Sequence, residues 1–167
     1  MSSISTKSQL WSIDFLLGMF IFILSIIFLY NYIINTPINS DSTIISESYI
    51  ISSSLLSKGY PIDWTLNNVS KIGIVSDKRI NSTKLEYLSE MDYSETKSKL
   101  NIFNDYYIFF LDKNNQLYLI NNITGIGKPN VNSTNLKQVE NPKNIVRVDR
   151  ITIHNSTIIK MVIYTWG

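Results

Sequence analysis

The sequence predicts an α+β protein, a long N-terminal membrane or stalk helix followed by a small head with an antiparallel β-sheet. Three observations carry that expectation. Phe15 to Ile34, FLLGMFIFILSIIFLYNYII, is twenty residues without one charge. Beyond it, apolar residues recur at three- and four-residue spacing from about Ser42 to Ser57. The C-terminal half then alternates aromatic and β-branched residues in runs separated by turn formers.

At about 1.5 Å rise per residue the charge-free run reaches roughly 30 Å, the hydrocarbon thickness of a bilayer. Lys7 lies on its short N-terminal side, whereas the other flank carries Asp41 and Glu47 before its first lysine, Lys58. Positive charge stays inside, so the expectation is a single-pass protein of the cell membrane with a cytoplasmic N-terminus and an extracellular head. A cleaved secretory signal would need a shorter apolar region and a small-residue site after it, which the exit NYIINTPINS lacks. Two readings of the helix remain: a plain anchor, and a helix that passes from lipid into a filament core.

The chain divides on this basis into a leader-like cytoplasmic segment (1–9), the transmembrane helix (10–34), an amphipathic stalk helix (35–58) and the exported head (59–167). A pause or kink is expected at Pro37. The stripe Ile44, Ile45, Ser48, Tyr49, Ser52, Leu55 and Leu56 then lays one face along the second helix, which Lys58-Gly59 ends and Pro61 seals. In the head, Tyr60 and Trp64 flank a turn, and KIGIV reads as a short strand burying Ile72 and Ile74. Asn81-Ser82-Thr83 with Glu86 is a capping box for a helix whose face is Leu85, Leu88 and Met91, and Asp92 with Glu95 caps another through Leu100.

From Asp105 the pattern is β. YYIFFLD and QLYLI form a hairpin across Lys113-Asn114-Asn115, and Gly125 to Pro142 is a polar loop. NIVRVDRITI and STIIKMVIYTW form a second hairpin around His154-Asn155, with Ile159, Met161 and Ile163 on one face of its last strand. Val146 and Val148 share a parity that Ile151 and Ile153 do not, which predicts a bulge near Asp149-Arg150.

Composition narrows the function classes. The formal net charge is +2 and no basic run interleaves with aromatics, so no nucleic-acid partner is expected. Cysteine is absent, so there is no disulfide framework; alanine is absent too, which reflects codon bias. With no Cys and one His, the usual zinc sites are excluded, and a nucleophile–histidine pair would have to use His154, which reads as an exposed turn residue. Glu90 with Asp92, and Asp112 with Lys113, sit at element ends as caps. Gly125-x-Gly127 is too short to cradle phosphate. No catalytic, cofactor-binding or metal residue is therefore assigned, and the expectation is a non-enzymatic protein without cofactors. Five N-x-S/T triplets, at Asn68, Asn81, Asn122, Asn132 and Asn155, are glycan acceptors by motif on an exported surface.

Asp14, at the edge of the membrane helix, has two readings. It is an interfacial acid favourable to the helix dipole, or a carboxylate that pairs with a neighbouring subunit's freed N-terminal amine.

Lys7-Ser8-Gln9-Leu10-Trp11-Ser12-Ile13-Asp14-Phe15 and the apolar run after it resemble the N-terminus of archaeal type IV pilin-like proteins, the class III signal peptide family. SLLSKGYPIDWT is similar to a Leu-Leu, Gly, Pro, Trp element that follows the stalk helix in such proteins. The resemblance implies leader processing by a prepilin peptidase around Lys7, Ser8 and Gln9, and Asp14 as the assembly carboxylate. It implies membrane lipid, other pilin-like subunits and the pilus assembly machinery as partners. The implied role is a structural subunit of a surface pilus, in assembly, adhesion or priming. Family members carry glycine where Ser8 stands, and here one extra residue separates Gln9 from Ser12-Ile13-Asp14. Cleavage after Gln9 restores the spacing to Asp14, cleavage after Ser8 sets Asp14 one position deeper, and an unprocessed protein is the third case. The alternative function is a single-span anchored protein whose exported head binds a ligand or partner.

Overall fold

The structure, a computed structural model, describes residues 5–35, 40–136 and 142–167. The chain forms two units, Met1–Ile38 and Asn39–Gly167. The first is helix α1, Ser5–Asn35. Its segment Ile13–Tyr32 has a mean hydropathy of 2.5 and no buried residue, so it is long and apolar enough to cross a membrane. Two polar side chains inside it bond back to their own helix: Ser25 Oγ donates to the Ile21 carbonyl at 2.8 Å and Asn31 Nδ2 to the Ile27 carbonyl at 2.9 Å. Such bonds let polar groups enter a medium that offers them no water. The turn expected at Pro37 lies outside the described residues.

In the second unit, α2 (Ser40–Leu55) precedes a two-stranded hairpin, β1 (Val75–Ser76) and β2 (Arg79–Ile80), then α3 (Ser82–Glu90) and α4 (Tyr93–Leu100). Strands β3 (Asp105–Leu111), β4 (Ile126–Gly127), β5 (Ile145–His154) and β6 (Thr157–Trp166) follow. They form an antiparallel sheet, among the described residues four-stranded in the order β4-β3-β6-β5. This is an α+β head. The last strand in sequence is an inner one, paired with β3 on one side and β5 on the other.

Alternation sorts the sheet residues between two cores. Tyr106, Ile108 and Phe110 of β3 and Ile159, Met161 and Ile163 of β6 join Ile51 and Leu55 of α2, Trp64, and Leu85, Leu88 and Leu100 of α3 and α4 in the main core. Tyr107, Phe109, Val162 and Trp166 face the other way, under Val131 and Leu136. Because β3 is covered on both faces, it reads as an unbroken apolar run.

Both expected N-caps form, but Glu86 closes no capping box: its Oε1 accepts from Asn121 Nδ2 at 2.7 Å instead. The Asn81 side chain accepts from Lys84 N at 3.1 Å, and Asp92 Oδ1 accepts from Ser94 N at 2.8 Å and Glu95 N at 3.2 Å. Helix α2 ends before Gly59, whose φ of +74° suits glycine, and a Cβ there would strike the Trp64 indole. Trp64 Nε1 in turn donates to the Gly73 carbonyl at 2.7 Å.

Several expectations are corrected. On α2 the buried stripe is Ile44, Glu47, Ser48, Ile51, Ser52 and Leu55, while Ile45 and Tyr49 are exposed. The helix is turned by polar contacts: Arg150 of β5 reaches Ser52 Oγ at 3.2 Å and lies over the Tyr49 ring. KIGIV buries Ile72 and Ile74 but is no strand until Val75, because Ile74 N and Val75 N donate to the Leu55 and Ser57 carbonyls at the end of α2. QLYLI begins as the hairpin return, with Leu117 bridging Leu111 and Tyr118 N donating to the Phe110 carbonyl. It forms no continuous strand; Asn121 and Asn122, at φ of 50° and 61°, turn the chain away. The segment expected as loop from Gly125 supplies β4 instead.

No bulge interrupts β5. Its pairing with β6 runs unbroken from Ile145↔Trp166 to His154↔Thr157. The parity change is real, but polar residues take the inward positions, Arg150, Thr152 and His154, and leave Ile151 and Ile153 on the open face.

Candidate functional site

The features implicated by sequence fall on α1. Lys7, Ser8 and Gln9 lie in its first turns. Asp14 follows at the start of the apolar segment, where the side chains from Ile13 to Tyr32 are exposed around the whole helix. An apolar surface of this extent is what a membrane-crossing helix presents, by length and composition. Asp14 is the lone acid in that surface, and Tyr30 and Tyr32 place aromatic rings at its far end, where membrane interfaces favour them.

Of the acceptor asparagines, Asn68, Asn122, Asn132 and Asn155 are exposed. Asn81 is half-buried and engaged at both ends: its oxygen caps α3, and its Nδ2 donates to Ser76 Oγ at 3.2 Å. Asn155 sits at the tip of the β5–β6 hairpin beside Ser156, both at positive φ, as a two-residue primed turn requires.

His154 is not an exposed turn residue. It is 4 % exposed, its Nε2 lies 2.9 Å from Ser82 Oγ and its Nδ1 lies 3.1 Å from the Tyr118 hydroxyl. The turn begins one residue later, which leaves His154 at an inward-facing strand position. Ser82 is the hydroxyl that a nucleophile–histidine pair would need, but the group at the other ring nitrogen is a phenol rather than a carboxylate. The arrangement clamps three elements, α3, the hairpin return and β5, with two hydroxyls that satisfy a neutral imidazole.

Burial pushes the His154 pKa below its ordinary value. The unfolded chain therefore binds a proton on this residue at a higher pH than the folded one, so stability rises with pH across that interval. Its contribution is complete above about pH 6.5 and is lost as pH falls from there. Chemical denaturation between pH 8 and pH 5 is expected to show this decline, and His154→Gln to flatten it. An unchanged slope in the variant would assign the acid sensitivity elsewhere.

Two further polar clusters hold the head. Asp105 accepts from Lys128 Nζ at 2.8 Å, Tyr93 OH at 2.9 Å and Lys97 Nζ at 3.0 Å. Burial disfavours its charge, but these donors outweigh burial and hold the carboxyl below the usual carboxylate range. Lys84, buried on α3, donates to the Lys58 and Ile62 carbonyls at 2.7 Å each, and burial lowers its pKa against the opposing charge of Asp63. Glu47 of α2, 3 % exposed, accepts from Phe103 N at 3.0 Å and Asn104 N at 2.9 Å. The sequence pattern offers no signal for this tie, because its partners lie more than fifty residues away, and Glu47 reads there only as a flanking charge. Among the described residues no three His, Asp or Glu side chains converge as a metal site. No protein-family model, curated protein or solved structure matches this chain.

Proposed function

We propose that this chain is a non-enzymatic, pilin-like subunit of a type IV pilus-like archaeal surface filament, inserted with its N-terminus in the cytoplasm and its head outside. The observation that carries the reading is α1: apolar all round from Ile13 to Tyr32, uncovered, and bearing one carboxylate, Asp14, at its entry. A helix of this kind suits lipid first and a bundle of its own copies later. Inside such a bundle an unpaired carboxylate is costly, so Asp14 needs a cation, and the amino terminus freed by a prepilin peptidase is the nearest kind. The resemblance of residues 7–15 to class III signal peptides supports the same reading. The head fits it too, since α2 packs on β5 and β6 as the spine of a sheet. Its exposed surface is available for assembly, adhesion or priming.

Asp14→Asn tests the pairing. It keeps size and polarity while removing charge, so membrane insertion is expected to persist and filament incorporation to fall at least tenfold, read by immunoblot of sheared filaments against membranes. If α1 is only a membrane anchor, the carboxylate is an interfacial acid worth about 0.3–1 kcal/mol of dipole interaction, and the variant behaves as wild type.

A further inference from the structure

Among the described residues β5 is an edge strand of its sheet; β2 packs near it, but no hydrogen bond joins the two. Register and turn decide where its peptide groups point. The two-residue turn at Asn155-Ser156 makes His154↔Thr157 a mutually hydrogen-bonded pair, so the even-numbered residues of β5 bond to β6. The far side of the sheet agrees: the Tyr106 and Phe110 carbonyls of β3 bond toward β4 and the hairpin return, so the odd residues of β3 bond to β6, and β6 uses its own odd residues toward β5. The N–H and C=O groups of Ile145, Arg147, Asp149, Ile151 and Ile153 therefore face the free edge. Among the described residues nothing bonds to them.

The two halves of this edge differ. Arg147 and Asp149 place charge along the first half, a common defence against strand addition. In the second half the one charged residue, Arg150, turns inward to Ser52. Ile151, Ile153 and, on β6, Ile158 are 78 %, 37 % and 64 % exposed. Beside them runs a groove of about 570 Å³ bounded by Leu56, Val75 and these isoleucines, with Lys58 and Lys78 on its walls and no acidic residue. Among the described residues neither lysine has an ion-pair partner.

We propose that this groove is a peptide-docking site: an extended segment of a partner protein adds to β5 at Ile151–Ile153, with alternate apolar side chains against the isoleucines and a carboxylate between Lys58 and Lys78. Free backbone groups supply the ladder and the apolar wall reads every second residue, which is how strand addition divides affinity from specificity. Lys58 and Lys78 set the charge of the guest. This site is built from residues of the second unit alone and does not depend on filament formation.

The test is a displayed library of randomised ten-residue peptides, panned against the full chain in nanodiscs after subtraction on empty nanodiscs. Enriched peptides are expected to show period-two apolar residues with at least one Asp or Glu, and to bind at least tenfold more weakly when alternate amides are N-methylated. Ile151→Lys, at an exposed position, is expected to abolish enrichment, and Lys58→Glu with Lys78→Glu to shift it toward basic peptides. No enrichment, a helical-period consensus, equal binding after N-methylation, or a consensus indifferent to these substitutions would each overturn the proposal. So would a long-chain fatty acid that displaces the enriched peptides at equal affinity, since the groove would then take an acyl chain.

Discussion

A chain truncated after Thr157 is expected not to fold its head. The deletion removes β6, which lies between β3 and β5 and pairs with seven residues of one and ten of the other. It also removes Ile159, Met161, Val162 and Ile163, all fully buried, and with them the join between the two cores. Truncating one such side chain to alanine costs about 2–5 kcal/mol, against a total stability of about 5–15 kcal/mol for a domain. Losing four together exceeds what the remaining contacts can offset. Circular dichroism melts of the full-length and truncated proteins in nanodiscs should show a cooperative transition only in the former, and amide exchange along β3 should lose its protection. A cooperative transition at the wild-type midpoint in the truncated protein would show β6 to be dispensable.

Glu47→Ala is expected to destabilise the head by about 2–5 kcal/mol, far more than loss of a surface glutamate. The carboxylate bridges α2 to the Phe103 and Asn104 amides, which lie between α4 and β3. Alanine leaves both N–H groups without an acceptor, at about 1–3 kcal/mol for each that stays buried. Glu47→Gln retains one acceptor oxygen but sets an NH₂ group against the other amide, so an intermediate loss of about 1–3 kcal/mol is expected. Denaturant titration gives the energies, and hydrogen exchange at residues 103 and 104 should accelerate in the same order. A change below about 0.5 kcal/mol in Glu47→Ala would mean that water replaces the carboxylate there.

What could be read from the sequence was local. Asn81 and Asp92 cap their helices through bonds that span two or three residues, so residue type and spacing were enough. The β5–β6 hairpin is also local, set by a two-residue turn between alternating runs. Features that depend on distant partners were illegible. Strand β4 is two residues long and exists because Ile126 and Gly127 meet β3. Parity on β5 suggested a bulge because apolar residues were assigned inward; Arg150 and His154 occupy those positions through Ser52, Ser82 and Tyr118, far away in sequence. For the same reason His154 looked like an exposed turn residue, and Glu47 only like a flanking charge. The features of α1, in contrast, are all of sequence: an apolar run, one acid and a short basic flank.

Whether this chain belongs to a filament is settled most directly by shearing surface filaments from cells that express it and measuring the intact mass of the chain they contain. The expected result is a filament-borne protein whose N-terminus is Gln9 or Leu10, with the head mass otherwise complete apart from any glycans. Recovery of the chain only from membranes, with Lys7 and the preceding residues retained, would contradict the filament reading and leave a single-span anchored protein whose exported head binds a partner.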